Sequence, residues 1–404
     1  MKKVSFLFFA VMFVIGTDTF LISPLLPTLT ALYKIPANLS GWMVSAYALG
    51  YAVFALIVGP ISDGMDRKKL MIGGLISFSI ATFLCGLAPN FWMMLLFRLL
   101  AGISAAVATP QIWAAIPMLF GRESMIKVMG QTTAGLSIAQ MVGLPIGSYL
   151  AARTWSMPFF AIAVCTVLLV LGIFYVIPAL PPRNQATYKL SLFHTYGQLF
   201  KAPRAVKFFI AYFIFQAGNF EAFSFIGTWF SSNFSLDVTA IGSAMILLGL
   251  GNATGSLFGN RLIRKLGEQR SLFLSLILLI GLYSFLPFSR TLAVAIGLLF
   301  LIFMIGGFVF PVFMSQLQSL TTTAKGTVSA LANSIMYAGT TIGGMIGSIL
   351  ISRFSGFFGV SWFTAVTYVL SLSIYARVLL SRESRSSKRT DCQQNERCEK
   401  LENG

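Results

Sequence analysis

The chain has 404 residues, is 56% hydrophobic and 14% aromatic, and carries charge on only 10% of its residues, with a mean hydropathy of +0.82. Soluble domains are about 25% charged, so this composition excludes an ordinary soluble enzyme and points to a chain solvated by lipid. The formal net charge of +17 would suit a polyanionic partner such as nucleic acid, but its placement along the chain points elsewhere.

In chain order, apolar runs long enough to cross a hydrocarbon core of about 30 Å predict helices over 4–26, 41–60, 70–88, 92–118, 125–151, 156–178, 207–229, 238–259, 271–288, 291–314, 328–351 and 358–380. The predicted fold class is an all-α integral membrane protein with twelve transmembrane helices. The first run follows MKK and contains Asp18, Pro24 and Pro27 with no small-residue cleavage site, so it reads as a retained span and not a leader. Lys34, Arg153, Arg290 and Arg353 are the basic residues predicted on one side of the membrane. Arg98 lies inside a span, and the loops and tails of the other side carry the rest. The positive-inside rule then places both termini in the cytoplasm. The basic excess reports topology in a bilayer, and no nucleic-acid partner is expected.

The chain divides into a six-helix half over 1–178, a polar linker over 179–206, a second six-helix half over 207–380, and a polar, aromatic-free tail over 381–404. His194, the only histidine, falls in the linker and reads as a solvated loop residue. A shift that superposes Phe6 on Phe208 and Gly16 on Gly218 puts Asp18 one residue from Glu221, as expected of two pseudo-symmetric halves. Cys85 and Cys165 lie in spans, and Cys392 and Cys398 in the tail, so neither a disulfide framework nor a metal site is expected.

Asp18 and Glu221 are carboxylates inside otherwise uncharged apolar runs. Such groups are costly at the depth of the hydrocarbon, about 2.5–3.5 kcal/mol on insertion scales, and mark bundle interiors and ion pathways. Counted at 1.5 Å per residue, Asp18 and Arg98 sit at similar depths below the outer surface and can meet. An ion pair favours the charged carboxylate and apolar burial the neutral acid. A conformational change that separates the two would therefore drive proton uptake. Between the second and third spans, Gly59, Asp63, Asp66, Arg67, Lys68 and Lys69 form an acid-then-base turn able to latch a gate. The fifth span carries Gly135, Gly143, Pro145 and Gly147, small residues for close helix contact and a proline for a bend.

Carried by these motifs, the chain resembles the major facilitator superfamily over about residues 4–380, and within it the twelve-span drug:proton antiporter and sugar-efflux branch. Gly59, Asp63, Arg67 and Lys68 match the loop signature written GxLaDrxGRK, with Gly64 and Asp66 standing where arginine and glycine are usual. Arg98 and Gly102 match the fourth-helix RxxxG signature. The fifth span is similar to the antiporter signature ending GPxxGG, with Pro145 displaced by one residue and Ser148 in place of a glycine. The resemblance implies two halves rocking about a midplane site, a gating role for Gly59, Asp63, Arg67 and Lys68, and proton coupling through Arg98, with the buried acids Asp18 and Glu221 as the candidate proton carriers. For Gly135, Gly143, Pro145 and Gly147, a directional role in export and a purely packing role stand side by side.

Tyr47, Gln111, Gln140, Asn219 and Asn333 are candidate substrate contacts, with Gln216, Asn252 and Tyr337 as further polar groups within spans. The abundant phenylalanines suit hydrophobic compounds, including cations drawn to Asp18 or Glu221. The expected function is proton-driven export of drug-like or sugar-like small molecules by a monomer in a bacterial plasma membrane. It needs no cofactor beyond the proton gradient. Proton-coupled uptake of a sugar, amino acid or nucleoside is the alternative, and a membrane receptor a further one. No HExxH, Walker motif or intramembrane histidine favours an enzyme.

Overall fold

A computed structural model of the chain describes residues 2–62, 65–181, 203–319 and 325–377. Twelve helices among them are long and apolar enough to cross a membrane. They are α1 (Lys2–Leu32), α2 (Ala37–Val58), α3 (Arg67–Gly86), α4 (Phe91–Leu119), α5 (Lys127–Arg153) and α6 (Met157–Val176) in the first half. The second half holds α7 (Ala205–Phe234), α8 (Val238–Gly259), α9 (Glu268–Phe288), α10 (Leu292–Gln318), α11 (Val328–Arg353) and α12 (Phe358–Arg377). Every predicted span has its helix. Several are longer than predicted, α1 and α7 above all, because a helix continues past its apolar core until a cap or a turn stops it, and hydropathy marks only the core. His194, Asp63, Cys392, Cys398, most of the linker and the whole tail lie outside the described residues.

Polar residues punctuate the apolar runs as helix caps. Asn90 accepts from the Met93 amide to open α4, and Thr291 caps α10. Asp237 accepts from the Ala240 amide and the Thr239 hydroxyl at the start of α8. The Ala240 bond first, and then the Thr239 bond, hold this exposed carboxyl below the ordinary aspartate range. The cap is therefore complete above about pH 4 and weakens only as pH falls through the lowered value.

Asp66 does the same for α3, accepting from the Lys68 amide at 2.8 Å and the Lys69 amide at 3.3 Å. It also accepts from the Leu180 amide at 3.4 Å, while the Arg67 amide donates to the Leu180 carbonyl. This aspartate thus starts a helix and ties the end of the first half to it. Asp66→Ala is expected to lower stability by about 1–2 kcal/mol, read as a fall in Tm of the purified protein. Asp66→Asn should recover most of the loss, and an unchanged Tm in the alanine variant would remove the capping account.

Within the first half α4 packs on α2 and α3, α3 on α6, and α1 on α5; in the second, α7 packs on α11 and α8 on α10. The halves meet through α1 and α7, α2 and α11, and α5 and α8. A Cβ at Gly135 would collide with the Phe9 carbonyl of α1, and one at Gly143 with the Thr17 hydroxyl. In the second half, Gly339 and Gly347 of α11 press in the same way on Phe213 and Glu221 of α7. The contact of small residues of the fifth helix on the first thus recurs between the eleventh helix and the seventh.

Contacts between the halves run from the end of the bundle where α1 passes into α2 down to the middle. The Ser348 hydroxyl donates to the Asn38 carbonyl, Ser45 to Thr341 and Ser23 to Phe223, each at 2.6–2.8 Å. A Cβ at Gly41 would overlap the Gly344 carbonyl, so α2 and α11 touch backbone to backbone there. Towards the middle, Ser334 donates to the Ala52 carbonyl at 2.7 Å and Asn252 to the Gln140 side chain at 3.0 Å. Beyond that level, at the end bearing the N-terminus, a cavity of about 630 Å3 opens between α1, the end of α4 and the start of α5. The contacts described between the halves thus hold the α1–α2 end and the middle together, and the cavity at the other end is lined by the first half.

Candidate functional site

Asp18 and Arg98 meet. Arg98 donates from its guanidinium to Oδ2 of Asp18 at 2.8 Å, with the two side chains 0% and 1% exposed. The guanidinium also donates to the Asp18 and Met43 carbonyls at 3.4 Å and lies 4.5 Å from the centre of the Tyr47 ring. The RxxxG spacing explains how it gets there. Arg98 and Gly102 sit one turn apart on the same face of α4. A Cβ at Gly102 would overlap the Tyr47 carbonyl, so only glycine lets α2 come close enough for its carbonyls and Tyr47 to surround the guanidinium. Oδ1 of Asp18 has no hydrogen-bond partner among the described residues.

Tyr47, a candidate substrate contact, instead closes this site, buried under Arg98 and bonded to the Thr19 hydroxyl at 3.1 Å. Beside it Tyr51 stacks on Tyr337 with ring centres 3.8 Å apart. Thr19, Phe20, Phe223, Tyr337 and neighbouring residues enclose a second cavity at the midplane, of about 40 Å3, no larger than a water or two.

Glu221 is 0% exposed, but it is not part of the Asp18 site and does not face the cavity between the halves. Its Oε2 accepts from the Thr364 hydroxyl of α12 at 2.9 Å, and Gly343 and Gly347 of α11 press on its stem. It has no cationic partner among the described residues, and Oε1 has no hydrogen-bond partner.

The other predicted residues fall into separate groups. Arg67 donates to Gln111 of α4 at 3.2 Å, which makes Gln111 a buried anchor for the loop and not a cavity group. Lys68 donates to the Phe174 carbonyl of α6 at 2.7 Å and lies over that ring. Both basic residues of the signature are thus bound within their own half. Gly59 lies in a helix near the turn that Asp63, outside the described residues, would continue. Asn219 accepts from Tyr368 at 3.3 Å on the α12 side of α7, and Asn333 is half-buried on α11.

Gly135, Gly143 and Gly147 form the stripe against α1. Pro145 has no amide to donate to Met141, and its ring crowds that carbonyl. Just before it, Ala139–Gly143 widens into a π-helical turn, closed by the Leu144 amide on Ala139. The widened turn pushes Gln140 and Met141 towards α8, where Gln140 bonds Asn252 and Met141 rests on Gly249. Proline signalled a bend in the sequence. The π turn, and the bond it sets between the halves, left no separate signal.

Twelve helices long and apolar enough to span a membrane, in two six-helix halves around a buried ion pair, are the build of a membrane transporter. The chain matches the Major Facilitator Superfamily over residues 8–337 and belongs to that family. It is 47% identical to the uncharacterized MFS-type transporter YceJ of Bacillus subtilis, over 95% of this chain and 98% of that one. It is 26% identical to multidrug resistance protein 1 of the same organism, over 82% and 85% of the two chains. Among solved structures, the D-xylose–proton symporter shares the fold at a TM-score of 0.76 and 14% identity, over 92% of this chain and 96% of that one.

Proposed function

We propose that the protein exports small molecules in exchange for protons. Asp18 is the proton-binding residue, and Arg98 holds it in the deprotonated state. The observation that carries this reading is the fully buried Asp18–Arg98 pair, made in the conformer that is closed at the α1–α2 end. Taking both termini as cytoplasmic, that conformer opens inward. The carboxylate is then paired and sealed while the cavity faces the cytosol. In the opposite conformer α4 moves relative to α1, the pair loosens, and the free oxygen of Asp18 takes a proton from outside. On return to the inward conformer the proton leaves Asp18 for the cytosolic side as the guanidinium comes back, and the completed pair is then sealed. Likeness to multidrug resistance protein 1 supports export. The fold alone also accommodates uptake, since the D-xylose–proton symporter shares it.

The test uses everted membrane vesicles energised to an acidic interior. Adding hydrophobic dyes, chloramphenicol and sugars in turn should collapse the pH gradient for at least one compound. A gradient untouched by every compound, with the protein present in the membrane, would overturn proton-coupled export of these classes.

Glu221 takes no step in this cycle. Glu221→Gln keeps an oxygen that accepts from Thr364 and breaks no ion pair, so export is expected to stay within about twofold of the parent. A loss as complete as that from altering Asp18 would return Glu221 to the coupling machinery.

A further inference from the structure

The wall of the 630 Å3 cavity carries a charge pattern opposite in sign to the two buried acids. Its lining includes Lys2 and Lys127, the aromatic rings of Phe6 and Phe9, and the neutral polar side chains Ser5 and Gln131, which bond to each other. No carboxylate is among the described residues that line it. Phe6, Phe9 and Phe13 are stacked at 6.3 and 6.5 Å along one face of α1. Further along that face Phe20 meets Phe223 at the midplane cavity, ring centres 5.5 Å apart. The spacing keeps these rings on the same side of the helix, so the ladder leads from the open mouth to the closed midplane. Phe6, at 65% exposure, begins it.

Both buried acids are withdrawn from this path. Asp18 is bound by Arg98, and Glu221 faces α11 and α12. A cationic compound entering the cavity would therefore meet ammonium groups and, among the described residues, no accessible counter-charge. An apolar compound with an acidic group would meet rings for its body and two ammonium groups for its charge.

We infer that the transported substrates are amphiphilic organic anions: the apolar body rides on the Phe6–Phe9–Phe13 ladder, and the carboxylate or sulfonate is held by Lys2 and Lys127. The inference rests on the export reading for direction only. It replaces the expectation of cationic substrates drawn to Asp18 or Glu221. Lys127 is the specificity-determining residue, and Phe9 supplies contact area to every ligand alike.

The experiment is equilibrium binding to the purified full-length protein in lipid nanodiscs, with empty nanodiscs subtracted and no gradient applied. The probes share a naphthyl body: 8-anilinonaphthalene-1-sulfonate, the neutral N-phenyl-1-naphthylamine, and the cationic N-(1-naphthyl)ethylenediamine. The sulfonate is expected to bind about tenfold more tightly than the neutral amine, as a charge pair at a half-solvated mouth allows. Lys127→Gln should remove that preference while leaving the neutral amine unchanged, Lys127→Arg should keep it, and Phe9→Ala should weaken both probes alike. Tightest binding of the cationic probe, or an unaltered preference in Lys127→Gln, overturns the inference, as does loss of the preference in Lys127→Arg. Since no proton gradient is present, failure here leaves proton-coupled export standing, and failure of the vesicle test leaves the anion preference standing.

Discussion

Asp18→Asn is expected to abolish proton-linked export while the protein still inserts and folds. The variant keeps a side-chain oxygen for Arg98 but can no longer release and rebind a proton, so export should fall by at least about a hundredfold, as loss of an obligatory proton step requires. It also leaves a guanidinium buried without its counter-charge. Breaking one side of a buried pair costs about 3–5 kcal/mol, and the retained acceptor oxygen and the nearby Met43 carbonyl place this case at the lower end. The double variant Asp18→Asn/Arg98→Gln removes the stranded charge, so it should unfold at a higher temperature than the single variant and still transport nothing. Vesicle transport and thermal unfolding measured side by side check both halves of the expectation. Export at the parent rate in Asp18→Asn would eliminate this residue as the proton carrier.

The second large effect is expected at Gly41. Its α-carbon faces the Gly344 carbonyl across the two halves, and any side chain there would overlap that oxygen. Gly41→Val sits on the surface of one half, so each half should fold as before, but the closed end cannot form. The protein would be held in the opposite conformer and transport lost. Labelling reads the trapped state directly. With Cys85, Cys165, Cys392 and Cys398 replaced by serine, Ser45→Cys should react slowly with a membrane-impermeant maleimide in the otherwise unaltered chain. It lies at the sealed contact with Thr341. Adding Gly41→Val should raise its labelling rate by about tenfold or more, as expected when the sealed state is no longer populated. Equal labelling in the two proteins would show that α2 and α11 separate independently of this contact.

Much of the architecture was legible in the chain because lipid leaves so few solutions. Every backbone polar group must be satisfied within the span, so each long apolar run became a helix. The Asp18–Arg98 pair was legible from depth together with the RxxxG match of Arg98, since two opposite charges at the same level of neighbouring spans have few other partners. Glu221 was grouped with Asp18 because both are acids in apolar runs, and sequence does not say which neighbours a buried acid faces; here they are Thr364 of α12 and the glycines of α11. Asp66 was read as a gate acid because sequence cannot separate an acid that pairs with lysine side chains from one that caps their amides. Gln111 and Tyr47 were assigned to the cavity because polarity within a span marks a buried position without saying what buries it.

The seal between the halves has a bearing on energetics. It consists of serine hydroxyls on backbone carbonyls, one amide pair and glycine contacts, with no ion pair described across it. Each such hydrogen bond contributes about 0.5–1.5 kcal/mol net. A handful therefore amounts to a few kcal/mol, comparable with the roughly 5.5 kcal/mol that carries a two-state equilibrium from 1:99 to 99:1. A closure fastened this lightly keeps both conformers within reach of the binding energy of one small molecule. Extra stabilising contacts at this seam would thus slow turnover even as they raised thermal stability.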